Sequence, residues 1–178
     1  MSELREKTVW HGEKRGIRFE INRFKSYDPS AYKFGWSFYL WLSPNQFPAD
    51  VRDQIKTDVY FTAFGTALEI HTGPIADLDW HGGMTWSSDE SSPKHPFRQY
   101  KFGCDFQHLW DMHKDHELDD VEREVDKCIE SLYQRWPDVK PVSAIWDGFR
   151  SKFPGAAAGD DRCFDINAKP IPYPWGQK

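Results

Sequence analysis

The chain has 178 residues and a formal net charge of -5, with 39% hydrophobic and 16% aromatic residues. This length suits one domain with an aromatic core, and the slight acidic excess gives no overall reason to bind nucleic acid. No window approaches the roughly 18 apolar residues that span a bilayer, and three cysteines without a CxxC pair indicate neither a disulfide framework nor a thiolate zinc site.

Alternating and aromatic runs predict the strands of the first half of the chain. Ile17, Phe19 and Ile21 alternate with polar residues, which is typical of a half-buried strand. The run from 36 to 42, WSFYLWL, carries side chains suited to burial on both faces and predicts a central strand. Residues 67–71, ALEIH, alternate again and predict another strand.

A hairpin is predicted in the middle of the chain. Residues 87–96, SSDESSPKHP, are polar and rich in turn formers, as hairpin loops are. The return strand is residues 98–104, in which Cys104 is in phase with aromatic residues and reads as a core thiol rather than a nucleophile. The stretches WHGGMTW (80–86) and GCDFQHLWD (103–111) are therefore expected on neighbouring strands.

The second half of the chain predicts helices. Residues 117–135 form an amphipathic pattern that Pro137 ends, with one apolar stripe made of Leu118, Val121, Val125, Cys128, Ile129 and Leu132. A shorter helix is expected within residues 142–153, and a Pro-rich strap or tail in residues 154–178. We predict an α+β fold for residues 1–153, a single domain in which the long helix packs on a mostly antiparallel sheet.

Polar groups able to form a site concentrate in the two stretches of the predicted hairpin. On a helix, the spacing of Asp105, His108 and Asp111 would place the imidazole beside both carboxylates. A pocket for a small ligand would be lined by Trp80, His81, Gly82, Gly83, Thr85, Asp105 and His108. The alternative is a divalent metal site, suited to Zn, Mn or Fe, with the ligands His81, Asp105, His108 and Asp111.

Structural roles compete with these assignments. Asp105 could cap the turn that follows it, and His108 could bond a backbone carbonyl. Gly82 and its neighbour could serve a turn with positive φ rather than the close approach of a ligand. Trp80 and Trp86 could belong to the core rather than form the wall of a pocket.

The remaining motifs add little chemistry. His113 and His116 resemble a second metal pair, but the charged segment HKDHE around them favours a solvated face. The chain has no P-loop, dinucleotide fingerprint, HExxH or GxSxG motif, which removes the common nucleotide-binding and protease classes.

The order of these motifs resembles a group of small proteins encoded by phages and prophages. That pattern is a WxG-like start, an aromatic strand, an HGG segment with Thr, a G-x-D-x-x-H-x-x-D segment and an amphipathic helix. Here the motifs are Trp10-His11-Gly12 and residues 36–42, 81–86, 103–111 and 117–135, within residues 9–136. The resemblance implies a phage setting and one site shared by His81, Asp105, His108 and Asp111, but it names no reaction.

Three functions remain open. The first is an accessory protein, for example one acting against host defence, that binds a nucleotide-like ligand with help from aromatic stacking. The second is a metal-dependent hydrolase, and the third is an inhibitor that binds a host protein through exposed aromatic surface. Because the N-terminal residues MSELREKTVW lack the apolar segment of a signal peptide, we expect a cytoplasmic protein without membrane contact, in the host cell if phage-encoded.

Overall fold

The computed structural model describes residues 8–26, 28–30, 32–55, 58–61, 69–90, 98–145 and 147. The strands in this part of the chain are β1 Thr8–Lys14, β2 Ile17–Lys25, β3 Phe34–Leu42, β4 Asp58–Phe61, β5 Glu69–Thr72, β6 Trp86–Asp89 and β7 Tyr100–Asp105. One long helix, α1, follows at Leu118–Arg135. Short 3₁₀ helices lie at Pro44–Gln46, Arg52–Gln54 and Leu109–Asp111.

A five-stranded sheet in the order β1-β2-β3-β7-β6 organises the fold, and every neighbouring pair is antiparallel. In its middle, Phe38 of β3 is paired with Ile21 of β2 on one side and with Cys104 of β7 on the other. All three side chains are buried. The central position predicted for residues 36–42 is confirmed, because β3 has a neighbouring strand at each edge. In that position an aromatic run loses the most contact with water.

The predicted hairpin is confirmed in β6 and β7. Trp86 is paired with Gly103, and the amide of Thr85 donates to the carbonyl of Gly103 over 2.9 Å. The strand is displaced from its predicted position: of WHGGMTW only Trp86 belongs to β6, and Ser87, Ser88 and Asp89 continue the pairing into residues that the sequence assigns to the loop. Residues 80–85 form the turn that leads into the strand. Residues 91–97 of that loop lie outside the described residues.

Two strands have no counterpart in the sequence prediction. β1, TVWHGEK, is an edge strand with one neighbour, so it can keep polar side chains that hide its period. β4 pairs with β5 in a separate two-stranded sheet. β5 confirms the end of the predicted strand at residues 67–71, although Ala67 and Leu68 themselves lie outside the described residues.

The helix α1 packs against β2 and β3. It begins one residue after the predicted start, where the amide of Glu117 donates to the carboxylate of Asp120 over 2.9 Å. Its buried positions are Val121, Val125, Cys128, Ile129 and Leu132, which are the predicted stripe apart from the half-buried Leu118. The α+β class, with the long helix packed on an antiparallel sheet, is thereby confirmed.

The C-terminal predictions fall mostly outside the described residues. Residues 142–145 form a helical turn where the shorter helix is predicted to begin. The continuation of that helix beyond residue 147 and the strap or tail of residues 154–178 lie outside. Of the helices in the described ranges, none combines the length and the apolar character needed to cross a bilayer.

Two of the three thiols are sealed in the core. Cys104 and Cys128 are almost completely buried, and burial raises the pKa of both thiols well above the ordinary range. Thiolate is the reactive form, so a Cys163→Ser variant should resist iodoacetamide at neutral pH while folded. The same variant unfolded in guanidinium should take up two labels, as counted by mass spectrometry. Stoichiometric labelling of the folded variant would contradict this burial.

Candidate metal centre

The segment that leaves the sheet after β7 is not the helix that the sequence spacing required. Asp105 is the last residue of β7, and the amide of Phe106 still donates to the carbonyl of Trp36 over 2.9 Å. Between β7 and α1, where every residue is described, the only helical part is the 3₁₀ turn Leu109–Asp111, closed by a 2.9 Å hydrogen bond from the amide of Asp111 to the carbonyl of His108. The predicted i, i+3, i+6 face is therefore wrong, because its first residue still belongs to a strand.

Asp111 lies at the centre of a buried cluster with two histidines. Its side chain has no exposed surface, and its two oxygens have different partners. Nε2 of His81 lies 2.9 Å from Oδ2, and Nε2 of His116 lies 3.2 Å from Oδ1. A carboxylate accepts hydrogen bonds only, so each imidazole donates to Asp111 in the absence of another cation.

The electrostatics of this cluster keep Asp111 ionised. Burial raises the pKa of Asp111, but the hydrogen bonds and charges of His81 and His116 lower it more, so the net shift is downward. A buried carboxylate is costly unless it is hydrogen-bonded or paired. The two imidazoles therefore supply the compensation that allows a charged group with no exposed surface.

His81 is the most constrained member of the cluster. Its ring stacks on Phe106 with centroids 4.0 Å apart and planes within 5°. On the edge opposite Asp111, its Nδ1 lies 3.7 Å from Oε2 of Glu124. Its backbone carbonyl is 3.2 Å from Nε2 of His108. The plane of the His81 ring, both of its nitrogens and its backbone carbonyl therefore each have a contact that restricts their movement. A metal ligand needs this kind of preorganisation.

His116 corrects the prediction that both histidines of HKDHE lie on a solvated face. His113 is exposed and has a φ of 62°, whereas His116 folds back onto Asp111 and onto Phe106, whose ring centroid is 5.2 Å away. The turn at His113 brings the following residues back towards Asp111. Helical and strand periodicities do not predict such a turn, so they give no indication of the role of His116. The available sequence signal was the second histidine pair itself, of which one member belongs to the cluster.

Two residues of the predicted ligand sets support the neighbouring backbone instead. Asp105 accepts from the hydroxyl of Thr85 over 3.2 Å and from the amide of Gln107 over 3.0 Å, so it closes the turn after β7. His108 stacks on Trp110 at 4.7 Å between centroids. The structure thus unites His81 and Asp111 with His116, and it leaves Asp105 and His108 beside that cluster.

Trp80 and the two glycines also differ from the predicted pocket wall. Trp80 is buried, stacks on Phe38 and donates from its indole nitrogen to the carbonyl of Ile75 over 2.7 Å, so it is a core residue. Gly82 and Gly83 have φ values of 69° and 102°, as the turn interpretation requires. A side chain at Gly82 would collide with the rings of His108 and Trp110, while Gly83 faces open space.

A cavity of about 300 Å³ opens beside the cluster, at the small end of the range for ligand pockets. Its walls carry the rings of His81, Phe106 and His116 together with charged groups of both signs, namely Lys114, Asp115, Asp120, Arg123 and Glu124. The mixture of charges favours a small polar ligand over an apolar one.

The three side chains fit a metal ion with a modest adjustment. One ligand atom from each of His81, Asp111 and His116 lies within 4.8 Å of the others. In tetrahedral coordination, ligand bonds of about 2.0–2.2 Å place two ligand atoms about 3.3–3.6 Å apart, so the most separated pair must approach by up to about 1.5 Å, which rotation of the side chains can supply. Two imidazoles and one carboxylate form a ligand set that Zn and Fe use.

No protein-family model, no curated protein and no solved structure matches this chain. The resemblance to phage and prophage proteins therefore stays a prediction from the sequence pattern.

Proposed function

We propose that this protein binds one divalent transition-metal ion through His81, Asp111 and His116 and uses it to hydrolyse a small polar substrate. The observation that carries the proposal is the buried carboxylate with an imidazole nitrogen within 3.2 Å of each of its oxygens. Three protein ligands leave coordination positions for water and substrate, and a bound zinc ion lowers the pKa of its water to about 7.

The cavity beside the cluster suits that chemistry. His81 and His116 both line it, so an ion held between them would face the space that a substrate enters. Hydrolysis adds the oxygen of water to the electrophilic atom of the substrate, breaks the bond to the leaving group and transfers the proton of that water to the leaving group. Lys114 and Arg123 in the walls offer charges that would orient a substrate's anionic part.

The two other hypotheses have less support from the site. A nucleotide-like ligand is expected to stack on Trp80 or Trp86. Trp80 is committed to the core, and Trp86, although 49% exposed, is not among the described residues that line the cavity. An inhibitor of a host protein would use exposed apolar residues, of which Trp110 is 56% and Met112 is 40% exposed. Such an inhibitor needs no metal, so metal binding separates it from the proposal. The phage setting and any action against host defence remain predictions.

Metal titration of tag-free protein tests the proposal. After treatment with a chelator, the protein should bind one Zn²⁺ or Co²⁺ per chain in isothermal titration calorimetry. His81→Ala and His116→Ala should each weaken binding by more than about 100-fold, since the loss of outer-shell partners alone costs about 10- to 100-fold. The matched control is His113→Asn, because His113 is exposed in the same segment and asparagine tolerates its positive φ.

Three outcomes would contradict all or part of the proposal. The metal centre is ruled out if the wild-type protein binds no metal, or if the His81→Ala variant binds metal as tightly as the wild type. The cluster would then be a hydrogen-bonded part of the fold with a structural role only. The hydrolytic part is tested with nitrophenyl esters and with nitrophenyl phosphate mono- and diesters, where turnover should depend on added metal and disappear in Asp111→Asn. Metal binding without turnover of any of these substrates overturns the hydrolytic part.

A further inference from the structure

Both nitrogens of His81 face carboxylates that belong to different parts of the chain. Nε2 points to Asp111 at 2.9 Å, and Nδ1 points to Oε2 of Glu124 at 3.7 Å. Glu124 lies on the long helix α1, while His81 lies in the turn before β6. The contact therefore connects the site to the helix that covers the sheet.

Glu124 cannot share an ion with Asp111 through this contact. The two ring nitrogens of an imidazole project from opposite edges, so an ion on the Nε2 side is shielded from Glu124 by the ring itself. Glu124 is also held in place by Lys127, whose Nζ donates to its Oε1 over 2.6 Å. Phe106 fixes the plane of the His81 ring. Within that plane, Glu124 is the group that faces the Nδ1 atom.

We propose that Glu124 is a positioning residue for the metal centre: an ion at Nε2 displaces the proton that His81 otherwise donates to Asp111, and Glu124 then accepts from the proton held on Nδ1. This inference rests on the proposed function. Metal-binding histidines generally donate their second ring N–H to a carboxylate or carbonyl, which fixes the tautomer and the ring orientation. The 3.7 Å separation becomes a hydrogen bond after a small rotation of either side chain or through one water.

Four variants separate orientation from charge. Glu124→Ala removes the acceptor. Glu124→Asp keeps the charge but is one methylene too short to reach, and Glu124→Gln loses the charge but keeps a carbonyl oxygen that can accept from Nδ1. Glu122→Ala is the matched control, because Glu122 lies on the same helix and is exposed. Co²⁺ is the probe, since its visible absorption reports the ligands as well as the affinity.

Co²⁺ affinity should follow the order wild type, Gln, then Asp and Ala together. Glu124→Ala is expected to bind about 10- to 100-fold more weakly with an unchanged absorption spectrum, and Glu122→Ala should match the wild type. Glu124→Ala combined with His81→Ala should bind no more weakly than His81→Ala, because Glu124 acts only through His81.

Several results would overturn this inference, and they are distinct from failure of the metal centre. If wild-type protein binds no Co²⁺, the proposed function fails. If it binds Co²⁺ and Glu124→Ala binds equally well, only the role of Glu124 fails. If the Co²⁺ absorption spectrum of Glu124→Ala differs from that of the wild type, Glu124 is a direct ligand of the ion. If Glu124→Asp binds Co²⁺ as tightly as the wild type, Glu124 acts through its charge. Should Glu124→Ala not fold, as judged by circular dichroism, the Gln and Asp variants give the same comparison.

Discussion

Glu20→Ala is expected to lower the free energy of unfolding by about 3–5 kcal/mol, the usual cost of removing one partner from a buried ion pair. Glu20 and Lys101 are each nearly buried, and Nζ of Lys101 donates to the two carboxylate oxygens over 3.1 and 3.2 Å. The ammonium also lies 4.3 Å from the ring centroid of Tyr39. Without Glu20 the ammonium stays buried beside aromatic rings with no anion to compensate it.

The same pair predicts a pH dependence of stability. Burial raises the pKa of Glu20, but the charge of Lys101 and the hydrogen bonds from Asn22 and Lys101 lower it more, so the net shift is downward. A carboxyl with a lowered pKa in the folded state stabilises the fold above its ordinary value of 4.5, and this contribution is lost as the pH falls through the lowered value. The stability difference between wild type and Glu20→Gln should therefore shrink below that ordinary value.

Urea denaturation followed by circular dichroism at several pH values measures both effects. The control is the double variant Glu20→Leu with Lys101→Met, which removes both charges together. It should recover most of the lost stability, because a buried ion pair is often replaceable by apolar residues of similar volume. Recovery should stay incomplete, since Asn22 loses the acceptor that it contacts over 2.7 Å. A Glu20→Ala variant as stable as the wild type would show that the pair is solvated.

Gly82→Ala is expected to be the most damaging single change in the turn before β6. The φ of Gly82 is 69°, and a left-handed residue with a side chain costs about 1–2 kcal/mol. The added methyl group would also collide with the ring of His108 and with Trp110. Overpacking of this kind adds about 1–3 kcal/mol. Because His108 contacts the carbonyl of His81, the same substitution should also weaken metal binding.

A double variant separates strain from collision in this turn. Gly82→Ala in a His108→Ala background keeps the backbone strain but removes the nearer of the two clashing rings, so it should cost less than the two single changes added together. Gly83→Ala is the comparison, because Gly83 also has a positive φ but faces open space. Additive losses in urea denaturation would mean that His108 moves aside without cost and that Gly82 is required for its backbone alone.

Much of the fold follows from local patterns in the sequence. The amphipathic stripe of α1 repeats at helical spacing along one face, and the aromatic run of β3 loses most surface at the centre of a sheet. The polar loop before β7 predicts the hairpin because it separates two strand-like runs. β1 and β4 escape detection, since edge strands and small separate sheets impose a weaker period on their residues.

Local sequence patterns predict only part of the cluster. His81 and Asp111 both belong to the stretches singled out by sequence, and the structure brings them within 2.9 Å of each other. His116 joins them through a turn at His113, and Glu124 reaches them from a helix whose period describes only its buried side. Asp105 and His108, selected by their spacing on a helix that does not form, bond to neighbouring backbone and side chains instead.

The sequence by itself determined the α+β class, the central strand, the hairpin and the long helix, because each depends on a pattern that is local to one stretch of chain: a helical repeat, an aromatic run, or a polar loop between two strand-like runs. Tertiary structure decided which polar groups meet. Asp111, His81 and His116 come from a 3₁₀ turn, a glycine turn and an irregular segment, and such segments have no period from which a side-chain direction can be read. Their convergence is set by the packing of Phe106 and α1 around them.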